Sequence, residues 1–254
     1  VRVDLSISTA QNTGGSGWDT LISIENLIGS TWDDVLLGNG EDNVIHGGAG
    51  NDWIDGGGGD DKLFGGSNSL GGDTIAYDNA VSGVTLSLAN SSAQTTGGAG
   101  IDTITEFENL RGSRFNDVLI GSAAANRIEG GEGNDFVWGS AGRDHQSGGA
   151  GADHFLYRNA SEAGNGSRKR DVITDFEAID RINLSRMDAN NSVSGNQAFV
   201  WIGSAAFSAP GQLRYTVAKG NGLLEGNVKG SSGAEFQIEI LGGFALQPGI
   251  HVVL

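Results

Sequence analysis

Cysteine is missing from this 254-residue chain, so neither disulfides nor a zinc–thiolate site can hold it together. Bases are scarce, with 15 Lys and Arg against 31 Asp and Glu and a formal net charge of −16. Phosphate binding relies on clustered Lys and Arg, so nucleic acid and anionic membrane surfaces are not expected partners. No cationic, apolar leader opens the sequence and no run of about 18 apolar residues follows, so membrane insertion is not expected. The histidines, His46, His145, His154 and His251, are scattered, and none begins an HExxH zinc motif. A GxSxG elbow and a GK[ST] phosphate loop are also missing, so no catalytic centre is expected within these residues.

Glycine is abundant, at 44 residues, and it recurs with a period. Residues 47–64, GGAGNDWIDGGGGDDKLF, hold two in-phase copies of a nonapeptide GGxGxDxUx, U being a large apolar residue. In the GGAGND half the glycines permit φ > 0 and a close approach of the backbone. The three residues that follow make a short strand whose middle side chain, Ile54 or Leu63, faces a core. If a turn and a return strand follow each strand, two nonapeptides make one coil and turns eighteen residues apart stack. The Asp closing each turn, with nearby peptide carbonyls, then offers several hard oxygens, which is a Ca²⁺ environment.

Complete copies start at Gly14, Gly47, Gly56, Gly97, Gly130 and Gly148, and degraded ones at Gly29, Gly38, Gly112, Gly121 and Gly139. Residues 68–71 interrupt the phase before Asp73 restores it. The second half repeats the first at an offset of 83: QNTGG at Gln11 returns at Gln94, IENL at Ile24 as FENL at Phe107, and NDWI at Asn51 as NDFV at Asn134. The expected architecture is therefore all-β: a parallel β-roll, or β-solenoid, in two duplicated halves, 1–83 and 84–160. Residues 161–254 then form a small antiparallel β cap that protects the last coil. Within that cap, residues 171–185 read as two short strands around a turn, and Arg168-Lys169-Arg170 as a solvated loop. Gln146 replaces a core residue, which places its strand near the roll's end or in solvent.

These nonapeptides resemble the RTX repeats of proteins exported by Gram-negative type I secretion. IENLIGSTWDDVLLGN and its copy FENLRGSRFNDVLIGS are similar to the roll entry of such proteins. The tail, with DVITDF at Asp171, DRINLS at Asp180 and QAFVWIGSAAFSAPGQLRY at Gln197, resembles the C-terminal domain of serralysin-type metalloproteases. It departs from that family at EGNVKGSSGAE, from Glu225, where an acidic calcium loop is usual, and at the terminal IHVVL, which lacks the preceding acid.

The resemblance implies a Ca²⁺ between turns n and n+2, held by carbonyls of positions 1 and 3 plus the Asp of one turn, and by carbonyls of positions 2 and 4 plus the Asp of the next. In this chain that gives Gly29, Thr31 and Asp34 with Gly48, Gly50 and Asp52; then Gly47, Ala49 and Asp52 with Gly66 and Asp73. It gives Gly112, Arg114 and Asp117 with Gly131, Gly133 and Asp135; then Gly130, Glu132 and Asp135 with Gly149, Gly151 and Asp153. One charge fewer is available where Gly38, Gly40 and Asn43 meet Gly57, Gly59 and Asp61, and where Gly121, Ala123 and Asn126 meet Gly142 and Asp144. Asp171 and Asp175 are candidates for a terminal site. A spacer breaks the phase after Asp19 and after Asp102, and Glu25 and Glu108 either close a site there or, as the favoured reading, lie on the surface.

Stacked carboxylates repel until neutralised, so without calcium the chain is expected to be disordered, and with it folded. Extracellular calcium modules bind at about 10⁻⁴–10⁻³ M, which places folding outside the cell after export. The expected role is a non-catalytic, secreted folding module of a larger protein, a serralysin-like protease first. Its partners are then the type I secretion machinery at the C-terminus and an upstream domain. The alternatives are a polysaccharide-binding module like those of alginate epimerases, with Trp53 and Trp138 facing outward to stack on sugars or packing under a neighbour, and an adhesin segment.

Overall fold

A computed structural model describes residues 1–68, 71–230 and 232–254. All helix and strand assignments among these residues are β-strands, most of them three to seven residues long. The interruption at residues 68–71 includes Ser69 and Leu70, which lie outside the described residues. The chain forms two compact units, Val1–Leu119 and Ile120–Leu254, a division at a different place from the sequence duplication.

In the first unit two parallel sheets form the walls of a β-roll. One runs Arg2–Asp4, Val35–Asn39, Trp53–Gly57, Thr74–Ala76 and Asn109–Arg111. The other runs Asn26–Ile28, Val44–Ala49, Lys62–Ser67 and Gly100–Thr105, and Gln94–Gly97 closes its edge in antiparallel sense. The register sets Leu36 beside Ile54 and Ile45 beside Leu63, two nonapeptides apart. Each repeat therefore contributes its middle apolar residue to one core, where Leu36, Ile45, Ile54, Leu63 and Ile75 are all buried. Burial of one such side chain stabilises by about 1.5–3 kcal/mol. The turns stack as closely as the strands do. Gly48 has φ +110°, and a β-carbon there would strike the Ser30 carbonyl of the coil before, so only glycine keeps this spacing.

The second unit repeats the scheme. Arg127–Glu132, His145–Ala150 and Asp171–Ile173 form one parallel wall; Phe136–Trp138, His154–Leu156, Arg181–Asn183 and Val252–Val253 form the other. Residues 171–183 thus add a further coil, where the sequence suggested two strands of the cap. Gln146 is buried rather than exposed, because its Nε2 donates to Tyr157 Oη at 3.0 Å and to Asp171 Oδ2 at 3.3 Å. The antiparallel cap is then continuous with the roll. Phe236–Ile240 lies parallel to Asp171–Ile173 and antiparallel to Asn221–Asn227, which forms a hairpin with Gln212–Ala218. Lys219 and Gly220 turn that hairpin with φ of 54° and 83°, the positive pair that a tight two-residue turn needs. Arg170, expected in a solvated loop, instead pairs with Glu239 at 2.7 Å and ties the loop to the cap. Among the described residues no helix is long and apolar enough to cross a membrane.

Candidate metal centre

Position 6 of each turn lies at the bend between glycines and strand, and its side chain folds back under the turn. The acids there are buried: Asp34, Asp52, Asp61, Asp73 and Asp117 in the first unit, and Asp135, Asp144, Asp153 and Asp171 in the second. They form a ladder. The Asp34 backbone N–H donates to Asp52 Oδ1 at 2.9 Å, that of Asp52 to Asp73 Oδ1 at 2.8 Å, and that of Asn43 to Asp61 Oδ1 at 2.8 Å. In the second unit Asn126 N–H donates to Asp144 Oδ1 at 2.9 Å, Asp135 N–H to Asp153 Oδ1 at 2.8 Å, and Asp144 N–H to Asp171 Oδ1 at 2.9 Å. Asp34 itself takes Ser30 N–H at 2.5 Å, and Asp117 takes Val84 N–H at 2.7 Å and Ser113 N–H at 2.6 Å.

One oxygen of each inner rung is thus satisfied by the preceding coil. The other is not: Oδ2 of Asp52, Asp61, Asp144 and Asp153 is buried without a hydrogen-bond partner. Leaving a charged oxygen so exposed to low dielectric is unfavourable, and the acids respond. Burial lifts Asp61 to about 7, with Asp102 adding repulsion, and lifts Asp144 to about 7. Asp171 is pushed up to about 8 by burial and by Asp144. Asp52, Asp73 and Asp153 are raised by burial first, with repulsion from neighbouring acids contributing.

The position-1 glycines explain the space around these oxygens. A β-carbon on Gly47 would strike both Asp52 Oδ2 and the Gly65 carbonyl, and one on Gly130 both Asp135 Oδ2 and the Gly148 carbonyl. Gly29, Gly38 and Gly121 face the same pairing with Asp34, Asn43 and Asn126. Glycine there leaves a cradle in which a carboxylate and a carbonyl of the next coil converge. Among the described residues no three Asp, Glu, His or Cys side chains gather as a metal cluster, so a cation must take most of its ligands from peptide oxygen. Hard oxygens, carboxylates lacking one partner and a Cβ-free cradle fit Ca²⁺.

The remaining expected ligands divide by position. Position-2 and position-4 glycines pack on carbonyls of the coil before: Gly57 on Asn39, Gly59 on Glu41, Gly66 on Gly48, Gly142 on Ala124, Gly149 on Gly131 and Gly151 on Gly133, while Gly50 packs on Trp32. At position 3, Thr31, Gly40, Arg114, Ala123 and Glu132 are exposed and Ala49 is half-buried. Gly112 is buried, as are Gly38, Gly47, Gly121 and Gly130, while Gly29 is half-buried. Asp175 stands apart from the ladder, accepting Gly148 N–H at 3.1 Å, Gly149 N–H at 2.9 Å and Ser147 Oγ–H at 2.5 Å.

Two further rungs escape the nonapeptide spacing and a third keeps it. Asp102, treated as out of phase, is fully buried, accepts Asp61 N–H at 3.0 Å and Tyr77 Oη–H at 3.0 Å, and is lifted to about 6 by burial. Glu108 is likewise no surface acid, since its Oε2 accepts Asp73 N–H at 3.0 Å. Asp180 accepts Asp153 N–H at 3.0 Å, and its nine-residue distance from Asp171 was the available signal. A second, outer ladder runs through position 5, where Asp33 Oδ1 accepts Asn51 N–H, Asp42 Oδ1 accepts Asp60 N–H and Asn134 Oδ1 accepts Ala152 N–H, at 2.7–2.8 Å. The recurrence of Asp or Asn just before the ladder acid marks it in the sequence.

Neither Trp53 nor Trp138 offers a bare ring. Arg158 lies 3.7 Å from the centroid of Trp138, whose Nε1 donates to Glu162 Oε2 at 3.1 Å, and Arg111 lies 5.8 Å from that of Trp53.

A family model described as the RTX calcium-binding nonapeptide repeat matches residues 37–69, 111–146 and 120–155. The chain carries RTX calcium-binding repeats, in an all-β parallel roll, and calcium is the cofactor such repeats take. Among solved structures it is similar to the AlgE6R3 subunit of the Azotobacter vinelandii mannuronan C5-epimerase, at 24% identity over 60% of this chain and 78% of that one. The TM-score is 0.25, so the two do not superpose as wholes. No curated protein matches the chain.

Proposed function

We propose that this chain is a calcium-triggered folding module of a larger exported protein. The observation that carries the reading is the set of buried Oδ2 atoms on Asp52, Asp61, Asp144 and Asp153, each beside a position-1 glycine and each without a partner. In this reading Asp34 with Asp52, Asp52 with Asp73, and Asp135 with Asp153 hold the fully charged sites. Asn43 with Asp61 and Asn126 with Asp144 hold the weaker ones. Bound calcium supplies positive charge between coils, and its binding free energy becomes folding free energy.

Export through type I machinery follows from the same chemistry. A chain that stays unfolded where calcium is scarce is threaded easily and folds where calcium is abundant. The tail's likeness to serralysin C-terminal domains supports a secreted parent protein of that kind. Polysaccharide binding is the second reading, and the arginines over Trp53 and Trp138 disfavour it at those rings.

The test is a calcium titration of the whole chain followed by circular dichroism and small-angle scattering, with magnesium as control. A cooperative gain of β signal and a fall in radius with calcium alone are expected. Identical spectra and radius in chelator and in calcium would overturn the proposal.

A further inference from the structure

The duplication places one sequence in two surroundings inside the first unit. In the second copy Gly100–Thr105 is a six-residue strand whose Thr103, Ile104 and Thr105 pair with Lys62, Leu63 and Phe64. In the first copy only Gly17–Asp19 is strand, and residues 20–22 leave the extended pairing. The difference is the coil in front.

That coil is held by particular contacts. Asp102 Oδ1 takes Asp61 N–H at 3.0 Å, Ile101 N–H reaches Asp60 Oδ1 at 2.9 Å, Glu108 Oε2 takes Asp73 N–H at 3.0 Å, and Asn109 Nδ2 donates to the Gly71 carbonyl at 2.9 Å. The first copy carries the same groups 83 residues earlier: Asp19, Trp18, Glu25 and Asn26. There Trp18, Glu25 and Asn26 stand in solvent and Asp19 is half-buried. Apolar neighbours follow suit. Phe107 is 8% exposed and its counterpart Ile24 is 39% exposed, while Ile22 and Ile28 reach 67% and 80%. Strand Asn26–Ile28 ends its sheet with one edge unpaired, whereas its counterpart Asn109–Arg111 has Thr74–Ala76 on that edge.

We infer that the face formed by Asp19, residues 20–22, Glu25 and Asn26 is a docking surface for the open end of an RTX nonapeptide coil, entering from the N-terminal side as residues 60–64 and 71–76 meet the second copy. The recognition is specific. Asp19 and Glu25 accept the N–H groups of that coil's two ladder acids, Asn26 donates to its turn carbonyls, and residues 20–22 complete a parallel strand pair. A second copy of the whole chain is not the occupant, because its own last coil is already covered by Phe236–Ile240 and Val252–Val253. The inference rests on calcium-dependent folding, since only a folded coil presents those groups.

The experiment places a second copy of residues 29–83 directly ahead of Val1 in the full chain and follows amide exchange in saturating calcium. Exchange in residues 20–26 is expected to slow at least tenfold relative to the unextended chain, approaching residues 103–109. Asp19→Asn with Glu25→Gln in the extended chain should return it toward the original rate. The inference is overturned if the added coil is itself protected while residues 20–26 exchange as before. It is also overturned if the unextended chain sediments as a dimer with those residues protected. If calcium protects neither the added nor the original coils, the calcium reading fails first and takes this one with it.

Discussion

Both the roll and the cap bury acids, and they treat them differently. In the cap Glu225 is buried, with its Oε2 receiving Arg214 Nε at 2.7 Å and its Oε1 receiving Gln237 Nε2 at 2.8 Å. Glu239 pairs with Arg170 at 2.7 Å, and its carboxyl is held below the usual range despite burial by the hydrogen bonds from Arg170 and Asn221. In the roll, Asp52, Asp61, Asp144 and Asp153 receive a backbone N–H on one oxygen and nothing on the other. The cap carries its own counter-charge in the sequence. The roll's counter-charge has to come from solution, so the stability of the two regions should answer to different variables.

The largest separation is expected from chelation. Removing calcium should abolish amide protection throughout residues 35–67, 74–76 and 127–156 and expand the chain toward the radius of about 55 Å of an unfolded polymer of 254 residues. Protection at residues 221–227 that outlasts the roll's would sharpen the contrast, and hydrogen exchange read by mass spectrometry resolves the two. A roll that stays protected in chelator would break it.

Single substitutions come next. Asp52→Ala removes a rung shared by two stacked turns, so calcium binding in the first unit should weaken by tenfold or more, with the defect shrinking as calcium is raised. Arg214→Met leaves Glu225 only its bond from Gln237 and should destabilise the cap by about 2 kcal/mol, whatever the calcium concentration. Calorimetry of each variant across a calcium series distinguishes them. Equal calcium dependence for both would contradict the comparison.

A pH series without calcium gives a smaller effect of predictable sign. Asp61 and Asp144 at about 7 and Asp171 at about 8 all lie above the ordinary carboxylate value. The folded roll therefore binds more protons than the unfolded chain. Its metal-free stability is fully present below about pH 4 and is lost as pH rises through those folded values. Chelated protein should show more residual β signal at pH 5 than at pH 8, and half-saturation by calcium should need less metal at the higher pH. Circular dichroism at fixed ionic strength checks both directions.

Much of this was legible in the primary structure because the repeat is a geometric period. A pattern that returns every nine residues fixes the partner of Leu36 as Ile54 and that of Ile45 as Leu63 before any coordinates are known. What the period could not locate were rungs reached after a change of phase. Asp102 lies 41 residues beyond Asp61 and Glu108 lies 35 beyond Asp73, because the duplicated lead is threaded between them. Tertiary closure, rather than local spacing, brings those acids under the preceding turn. Gln146 shows the converse, a polar residue accepted in the core because Tyr157 and Asp171 meet its amide there.

The smallest change tests whether charge alone sets the strength of a rung. Asn43 occupies a ladder position, is buried, accepts Asn39 N–H on Oδ1 at 2.8 Å and leaves Nδ2 without a partner. Its Oδ1, beside Gly38, stands where Asp52 and Asp61 place Oδ2 beside Gly47 and Gly56, so Nδ2 falls where those acids turn their other oxygen to the preceding coil. Asn43→Asp is isosteric and exchanges a donor for an acceptor, adding one negative charge beside Asp61. In chelator the added repulsion should lower whatever stability the first unit retains. In calcium the same charge becomes a ligand, and affinity at that site should rise about tenfold, since calcium sites are tuned by ligand charge count. The sign reversal is the diagnostic. A variant weaker in both conditions would mean that the rung between Asn43 and Asp61 holds its turn by hydrogen bonding alone and not through a metal.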